Sequence, residues 1–242
     1  MVVKRSVLFL AVAGFILLAA RFATANCSVE NSRWEKVVEK NGITVYERSI
    51  TGRPIKVFKA ESVFECAPMQ VIALLMDRDA ASRCFPHCRV FKLLEDLSPY
   101  DGLFYCIFDF PWPLKARDAV LRSRRTYDPV RGMFTIRYWA DSSSDYRMPG
   151  RMMIRVASME GEWTVTGIED GRTRVTNRLY ADPGGSLPYW VFNTFFRDAA
   201  YSAFVNMKKA VSDEKYRDAL SDGKIIRRFD TVSGGVAGNH AF

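Results

Sequence analysis

The chain is predicted to fold as an α+β domain, a curved antiparallel sheet wrapped around one long C-terminal helix. Three observations predict it. Strand-like runs separated by turn residues follow one another through the middle of the chain. One of them, residues 103–110, puts Phe104, Cys106, Phe108 and Phe110 on one face. Near the C-terminus, Phe192, Phe196, Ala200, Ala203, Phe204, Met207 and Val211 recur at helical spacing. A helix with such a stripe is buried most simply against the apolar face of a sheet. Between two of the strands lies Pro111-Trp112-Pro113-Leu114, where a tight hairpin would use Asn-Gly or Gly-X. Prolines stiffen this loop and hold a large ring where it can touch something apolar.

The elements follow in order. Residues 34–40 read as a short helix stopped by Asn41-Gly42. Residues 43–49 alternate and read as a strand, Gly52-Arg53-Pro54 turns the chain, and residues 55–66 form a second strand. Ala67-Pro68 opens a helix through Ala80 with Val71, Leu74 and Leu75 on one face, and a shorter helical piece runs to Arg83. Strands are then expected over 89–97, 103–110, 118–127, 134–139, 151–158, 163–169 and 173–181. The breaks between them carry Pro, Asp and Gly. In 118–127, Ala119, Leu121 and Ser123 face oppositely to Arg122 and Arg124. Ser186 is the expected N-cap of the last helix, with Pro188 in its first turn, and the helix is expected from Leu187 to about Arg217.

The first residues read as an export signal. Lys4 and Arg5 precede an apolar run from Val7 to Ala20, and Ala23-Thr24-Ala25 is an A-x-A cleavage site. The run is short for a membrane span, and no lipobox precedes Cys27. The expected organisation is a signal peptide over 1–25, a domain over 26–218 and a tail over 219–242. The mature chain would be periplasmic in a Gram-negative source and secreted otherwise. Loss of Lys4, Arg5 and Arg21 with the leader takes the net charge from +8 to +5, which favours anionic surfaces such as lipid headgroups. Arg122, Arg124 and Arg125 lie on a strand and form no nucleic-acid signature, so no nucleic-acid partner is expected.

Five cysteines remain: Cys27, Cys66, Cys84, Cys88 and Cys106. Export permits disulfides, the count is odd, and Cys84–Cys88 is the one close pair, so its state is left open. Cys84, His87 and Cys88 lack a fourth ligand and the usual spacing of a metal site. No metal and no cofactor is expected.

Several motifs in order carry a family resemblance. They are Gly42-Ile43-Thr44-Val45-Tyr46-Glu47-Arg48, Pro111-Trp112-Pro113 followed by Arg117-Asp118, Gly161-Glu162-Trp163, Asp170-Gly171-Arg172-Thr173, and Asp182-Pro183-Gly184-Gly185-Ser186-Leu187-Pro188. Over residues 34–211 the chain resembles the START-domain family, the steroidogenic acute regulatory protein-related lipid-transfer domains, as an exported bacterial member. The resemblance implies a helix-grip fold (START/Bet v 1-like) closed around a hydrophobic tunnel. It also implies a C-terminal helix that acts as a lid, a gate loop holding Trp112 that contacts membranes in related proteins, and a function in binding or carrying one lipid-like molecule. Some members place a buried acid and arginine in the tunnel. Six residues after Arg117 this chain has Ser123, and the acid's counterpart is Tyr105.

On this reading Phe104, Phe108, Phe110, Leu121, Ser123, Phe192 and Phe196 line the tunnel, together with Ala119 and Met207. Arg155, between Ile154 and Val156, is the polar lining candidate. Pro111, Trp112, Pro113, Leu114, Arg117, Leu187 and Trp190, with Tyr189, form the gate and the membrane-contacting rim. Lys115 and Arg197 add attraction to anionic lipid. Asp118 is expected to tie down the gate loop. The expected partners are a lipid or other hydrophobic small molecule and, transiently, a membrane surface, and the protein is expected to be a monomer. With His87 and His240 the sole histidines, and neither G-x-S-x-G nor H-E-x-x-H present, a non-catalytic role is expected. The alternatives are a helix-grip hydrolase or cyclase using Asp109 or Glu160, and a lipid-sensing module with a protein partner.

Overall fold

The computed structural model describes residues 33–112, 114–148, 152–156, 158–185 and 188–217. The expectations for the leader, the 219–242 tail, Cys27, Pro113, Ser186, Leu187 and His240 fall outside those residues. Strands β1 (Glu35–Lys40), β2 (Ile43–Ile50) and β3 (Arg53–Phe64) come first. Helix α1 (Pro68–Met76), a 3-10 turn (Arg78–Ala80) and the short helix α2 (Ala81–Cys84) follow. Next are β4 (Cys88–Asp96), β5 (Asp101–Phe108), β6 (Arg117–Asp128), β7 (Met133–Ala140), β8 (Ile154–Arg155), β9 (Ser158–Gly167) and β10 (Thr173–Asp182). The long helix α3 (Tyr189–Ala210) and the short α4 (Glu214–Arg217) end the described chain. One sheet runs in the order β1-β2-β3-β10-β9-β7-β6-β5-β4, antiparallel at every step. It is the curved sheet with a long C-terminal helix that the sequence predicts.

Four boundaries differ, each for a physical reason. Residues 35–40 are a strand and not a helix. Asn41 (φ 54°) and Gly42 (φ 67°) both adopt left-handed backbone, the conformation of a two-residue hairpin turn. That turn pairs Lys40 with Ile43 and Glu39 with Thr44. Helix α1 ends at Met76 because Asp77 is extended and its carboxylate turns to other donors, accepting from Asp79 N at 2.9 Å, Tyr216 Oη at 2.7 Å and Lys215 Nζ at 2.5 Å. Burial opposes ionisation of Asp77, yet these donors hold its carboxyl down at about 2. The same contacts stop α3 at Ala210 and fold residues 214–217 back as α4, so the long helix does not run to Arg217.

The fourth difference is at 151–158, where a single strand is expected. β7 covers β6 only from Leu121 onward, where Leu121 pairs with Ala140. This leaves the first residues of β6 with an open edge. β8 fills it in parallel, Arg117 opposite Ile154 and Asp118 opposite Arg155, with Ile154 N donating to Ala116 O and Val156 N to Asp118 O. The chain then breaks and restarts as β9, which pairs β7 and β10.

The segment from β7 to β8 crosses the outer face of the sheet. Tyr146, Met148 and Met153 pack there on Tyr105, Ile107 and Val120. Asp118, 0% exposed, fastens it: the carboxylate accepts from Arg155 at 2.8 and 3.2 Å, from Arg147 at 3.4 Å and from the Tyr105 hydroxyl at 3.0 Å. Asp118 therefore ties down this outer strap and not the gate loop. A buried carboxylate with such partners is costly to remove, because the arginines are left without a counter-charge. Asp118→Ala is expected to lower the unfolding free energy by about 3 kcal/mol in chemical denaturation. A loss below about 1 kcal/mol, the scale of an exposed ion pair, would contradict this account of the network.

Candidate functional site

The C-terminal part of α3 is packed solid. Phe204, Met207 and Val211 meet Ile43, Val45, Ala60, Phe64, Val71, Leu74 and Val175 from β2, β3, α1 and β10. Toward its start the helix also packs on β3, where Phe58 and Phe196 rings lie 6.2 Å apart. Its other face looks across to β4, β5 and β6 and presents Ala199, Ala200 and Ala203. These small side chains do not reach the opposite wall, and a cavity of about 360 Å³ remains between helix and sheet.

The cavity wall is mostly apolar. Phe91 and Leu93 come from β4, Phe104, Cys106 and Phe108 from β5, Leu121 from β6, Ile136 from β7, Trp163 from β9, and Phe195 and Phe196 from α3. Phe91 and Phe104 are stacked at 4.9 Å. Along β6, Arg117, Leu121, Ser123 and Arg125 all line the space, as strand alternation requires of residues spaced by two. Arg117 and Arg125 thus mark two ends of the cavity, roughly 26 Å apart at about 3.3 Å per residue.

The end at Arg117 is built from the two loops that the sequence singles out. Arg117 is 1% exposed and has no carboxylate partner among the described residues. Its guanidinium donates to Lys115 O (2.6 Å), Gly184 O (3.3 Å) and Pro183 O (3.4 Å). It also lies over the Phe110 ring at 4.6 Å and the Phe192 ring at 5.5 Å. Burial lowers its pKa from the ordinary arginine value, while the three carbonyl dipoles and two ring faces hold the charge in place. The Asp182-Pro183-Gly184-Gly185 loop is shaped for this. Both glycines have positive φ, Gly184 N donates to Asp182 Oδ1 at 2.9 Å, and a Cβ on Gly185 would lie 3.5 Å from the Arg117 guanidinium. Phe110 stacks on Phe195 at 4.3 Å and meets Phe192 edge-on at 5.9 Å, so the 111–116 loop is held against the start of α3. Outside that contact Trp112 is 93% and Trp190 70% exposed, and Met152 and Tyr189 are exposed as well.

The sequence-predicted residues divide accordingly. Phe104, Phe108, Phe110, Leu121, Ser123 and Phe196 line the cavity. Arg117, expected at a rim, is buried within the cavity's end. Phe192 lies behind the wall, among Phe58, Phe110 and Phe196; Ala119 and Met207 are buried in packed clusters. Arg155 does not line the cavity. It stands directly opposite Asp118 across the β6–β8 pair, and cross-strand neighbours share a face, so it points outward with Asp118 while Val156 points in. Pro111 and Trp112 are exposed, Leu114 is half-buried, and Lys115 is exposed. Asp109 pairs with Arg89 at 3.1 Å and Glu160 with Arg53 at 3.4 Å, and neither lines the cavity. The four described cysteines, Cys66, Cys84, Cys88 and Cys106, are free thiols.

Sequence reasoning missed Arg125, Tyr138 and Asn177, the polar residues of the far end. Arg125 was within reach, since it has the parity of Ser123. Tyr138 and Asn177 depend on register: Ser123 pairs with Tyr138, and Arg125, Ile136, Trp163 and Asn177 form one cross-strand row. The Tyr138 hydroxyl accepts from Asn177 Nδ2 at 3.4 Å. A Cβ on Gly161 would lie 2.2 Å from that hydroxyl, so Gly161 makes room for the ring. Burial pushes Tyr138 up to about 12, and pushes the cavity-lining thiol of Cys88 up to about 12 as well.

A sequence model of the START domain matches residues 19–216. A Pseudomonas aeruginosa protein described as uncharacterised is 27% identical over 197 residues, covering 81% of this chain and 94% of its own length. Mouse phosphatidylcholine transfer protein is 27% identical over 180 residues, 73% of this chain and 83% of the relative. Among solved structures, a STAR-related lipid transfer protein from Xanthomonas axonopodis superimposes with a TM-score of 0.67 at 25% identity, over 74% of this chain and 99% of that one. Human StAR-related lipid transfer protein 5 gives a TM-score of 0.67 at 16% identity, over 83% and 93%, which shows the shared fold.

Raised values for Cys88 and Tyr138 mean that the fold keeps both protonated when the unfolded chain has begun to ionise. Their contribution to stability is complete below pH 9, the ordinary thiol value, and is lost as the pH rises towards 12. The denaturant midpoint is expected to fall across that window. A flat midpoint would mean that the cavity wall is open to water.

Proposed function

The chain belongs to the START-domain family, and from that premise we propose that it binds one hydrophobic, lipid-like molecule in this cavity and carries it between apolar surfaces. The observation that carries the reading is the 360 Å³ space walled by Phe91, Phe104, Phe108, Phe195 and Phe196. Each methylene exposed to water costs about 0.8 kcal/mol, so a long chain leaves a bilayer readily only for an equally apolar place. The names of the mouse and Xanthomonas relatives, a phosphatidylcholine transfer protein and a lipid transfer protein, support the class of ligand.

Trp112 and Trp190 are the proposed membrane contact. Two tryptophans this exposed, beside Tyr189, suit the headgroup boundary, and Lys115 adds attraction to anionic lipid. The proposed gate is the 111–116 loop, which is hinged between Phe110 and Arg117, both of which touch α3. Opening then separates the Phe110–Phe195 stack without unfolding the sheet. The reading is non-catalytic: Tyr138 and Cys88, both in the wall, are held about 12, far from the range of a general base at neutral pH. Lys4, Arg5, the apolar run to Ala20 and Ala23-Thr24-Ala25 support export, to the periplasm of a Gram-negative source or to the medium.

The test is transfer of a fluorescent lipid between vesicles, with equilibrium binding measured in parallel. Trp112→Ala is expected to slow transfer at least fivefold while weakening binding less than twofold, a split that an interfacial anchor predicts. Equal losses would make Trp112 part of the binding wall. Ala200→Phe, which fills the space between α3 and the sheet, is expected to weaken binding roughly tenfold or more while thermal unfolding stays cooperative. Undiminished binding would place the ligand elsewhere.

A further inference from the structure

The polar groups of the cavity are unevenly distributed. Apart from Arg117, whose three guanidinium nitrogens each donate to a carbonyl, those on the strands lie toward the far end, in the rows of Ser123 and Arg125. Ser123 and Arg125 are neighbours on one face of β6; Asn177 ends the row of Arg125 three strands away, and Tyr138, which pairs with Ser123, turns its hydroxyl over Gly161 toward Asn177. Arg125 is half-buried. Among the described residues its side chain has no carboxylate within ion-pair distance, and its one hydrogen bond is to Met76 Sδ at 3.7 Å. The nearby Asp101 is taken by Arg124 at 3.0 Å and by Arg122 at 3.9 Å. Arg78 and Asp96, both exposed, complete this end of the wall. Two guanidinium groups thus face one carboxylate that lies at the surface.

Of the remaining groups, Asn177 donates to Glu162 O and to the Tyr138 hydroxyl, while Ser123 and Tyr138 are donors without a protein acceptor among the described residues. Among the described residues the Ser123 hydroxyl has no hydrogen-bond partner, and the Tyr138 hydroxyl accepts from Asn177 and keeps its proton free to donate. A half-buried guanidinium with the Ser123 hydroxyl two residues along the same strand face is a site for an anion. Burial lowers the Arg125 pKa from the ordinary arginine value, which an acidic ligand group reverses. The cavity's size limits the rest of the ligand. Its 360 Å³ lies near the lower end of the usual ligand-pocket range of about 300–1,000 Å³, which favours one alkyl chain over two.

From these observations we infer that the cavity selects a single-chain anionic amphiphile, its carboxylate or phosphate held by Arg125 and Ser123 and its chain running along Leu121, Phe104 and Phe108 toward the gate. This rests on the lipid-binding reading and sharpens it. The relevant chemistry is an acid on one alkyl chain, shared by free fatty acids and lysophosphatidic acids.

The experiment is displacement of Nile red from the full chain by four probes: hexadecanoic acid, its methyl ester, hexadecanoyl lysophosphatidic acid and dihexadecanoyl phosphatidylcholine. At least one of the two acids is expected to bind roughly tenfold or more tighter than the ester, the scale of a charge-assisted hydrogen bond. The tighter of the two acids identifies the head group. Arg125→Gln is expected to shrink the acid-to-ester ratio to within about twofold, and Arg125→Lys to retain most of it. Equal binding of acids and ester by the natural chain would overturn the inference without any variant, as would phosphatidylcholine binding as tightly as the acids. A ratio unchanged in Arg125→Gln would overturn the assignment to Arg125. Displacement by none of the four would overturn the lipid-binding reading itself.

Discussion

Adjacent residues on a strand point to opposite faces, and at the start of β6 this rule sets Arg117 and Asp118 on the two sides of the sheet. Much of the architecture hangs on that pair. Inward, Arg117 gathers Lys115 O, Pro183 O and Gly184 O with the Phe110 and Phe192 rings. It thereby joins the loop before β6, the β10–α3 connection and the helix. Outward, Asp118 gathers Arg155, Arg147 and Tyr105 and fixes the strap that crosses the back of the sheet. Paired with each other, the two charges would have served neither side. The inner one instead relies on dipoles and rings, so it leaves no carboxylate inside an apolar cavity.

The cavity itself follows from what α3 does not fill. Its lower part carries Phe204 and Met207 into a close-packed cluster, while the face toward β4, β5 and β6 carries alanines. Close packing is the default of a protein interior, and an apolar space left in it has no protein partner for its lining atoms. A ligand supplies that partner.

How much of this was legible in sequence varied with the range of the interaction. The α3 stripe and the β5 and β6 alternation are local, and they predicted Phe104, Phe108, Leu121 and Phe196 as lining residues. The first strand was misread because Asn41-Gly42 stops a helix and turns a hairpin equally well. The choice between those depends on whether a partner strand is available. Arg155 was misplaced because alternation gives relative faces and not which face is inside. Only its pairing with Asp118, across a parallel bridge made where β7 leaves β6 uncovered, decides that. Tyr138 and Asn177 carry no local signal at all, since register between distant strands brings them to the cavity.

The cavity is read as a place for one hydrophobic molecule and not as a void in a solid core. Native mass spectrometry of the purified protein, followed by organic extraction, tests it directly. A mass increment equal to one lipid per protein is expected, lost on extraction and recovered on incubation with vesicles. A protein of apo mass under gentle ionisation that takes up nothing from vesicles would contradict it.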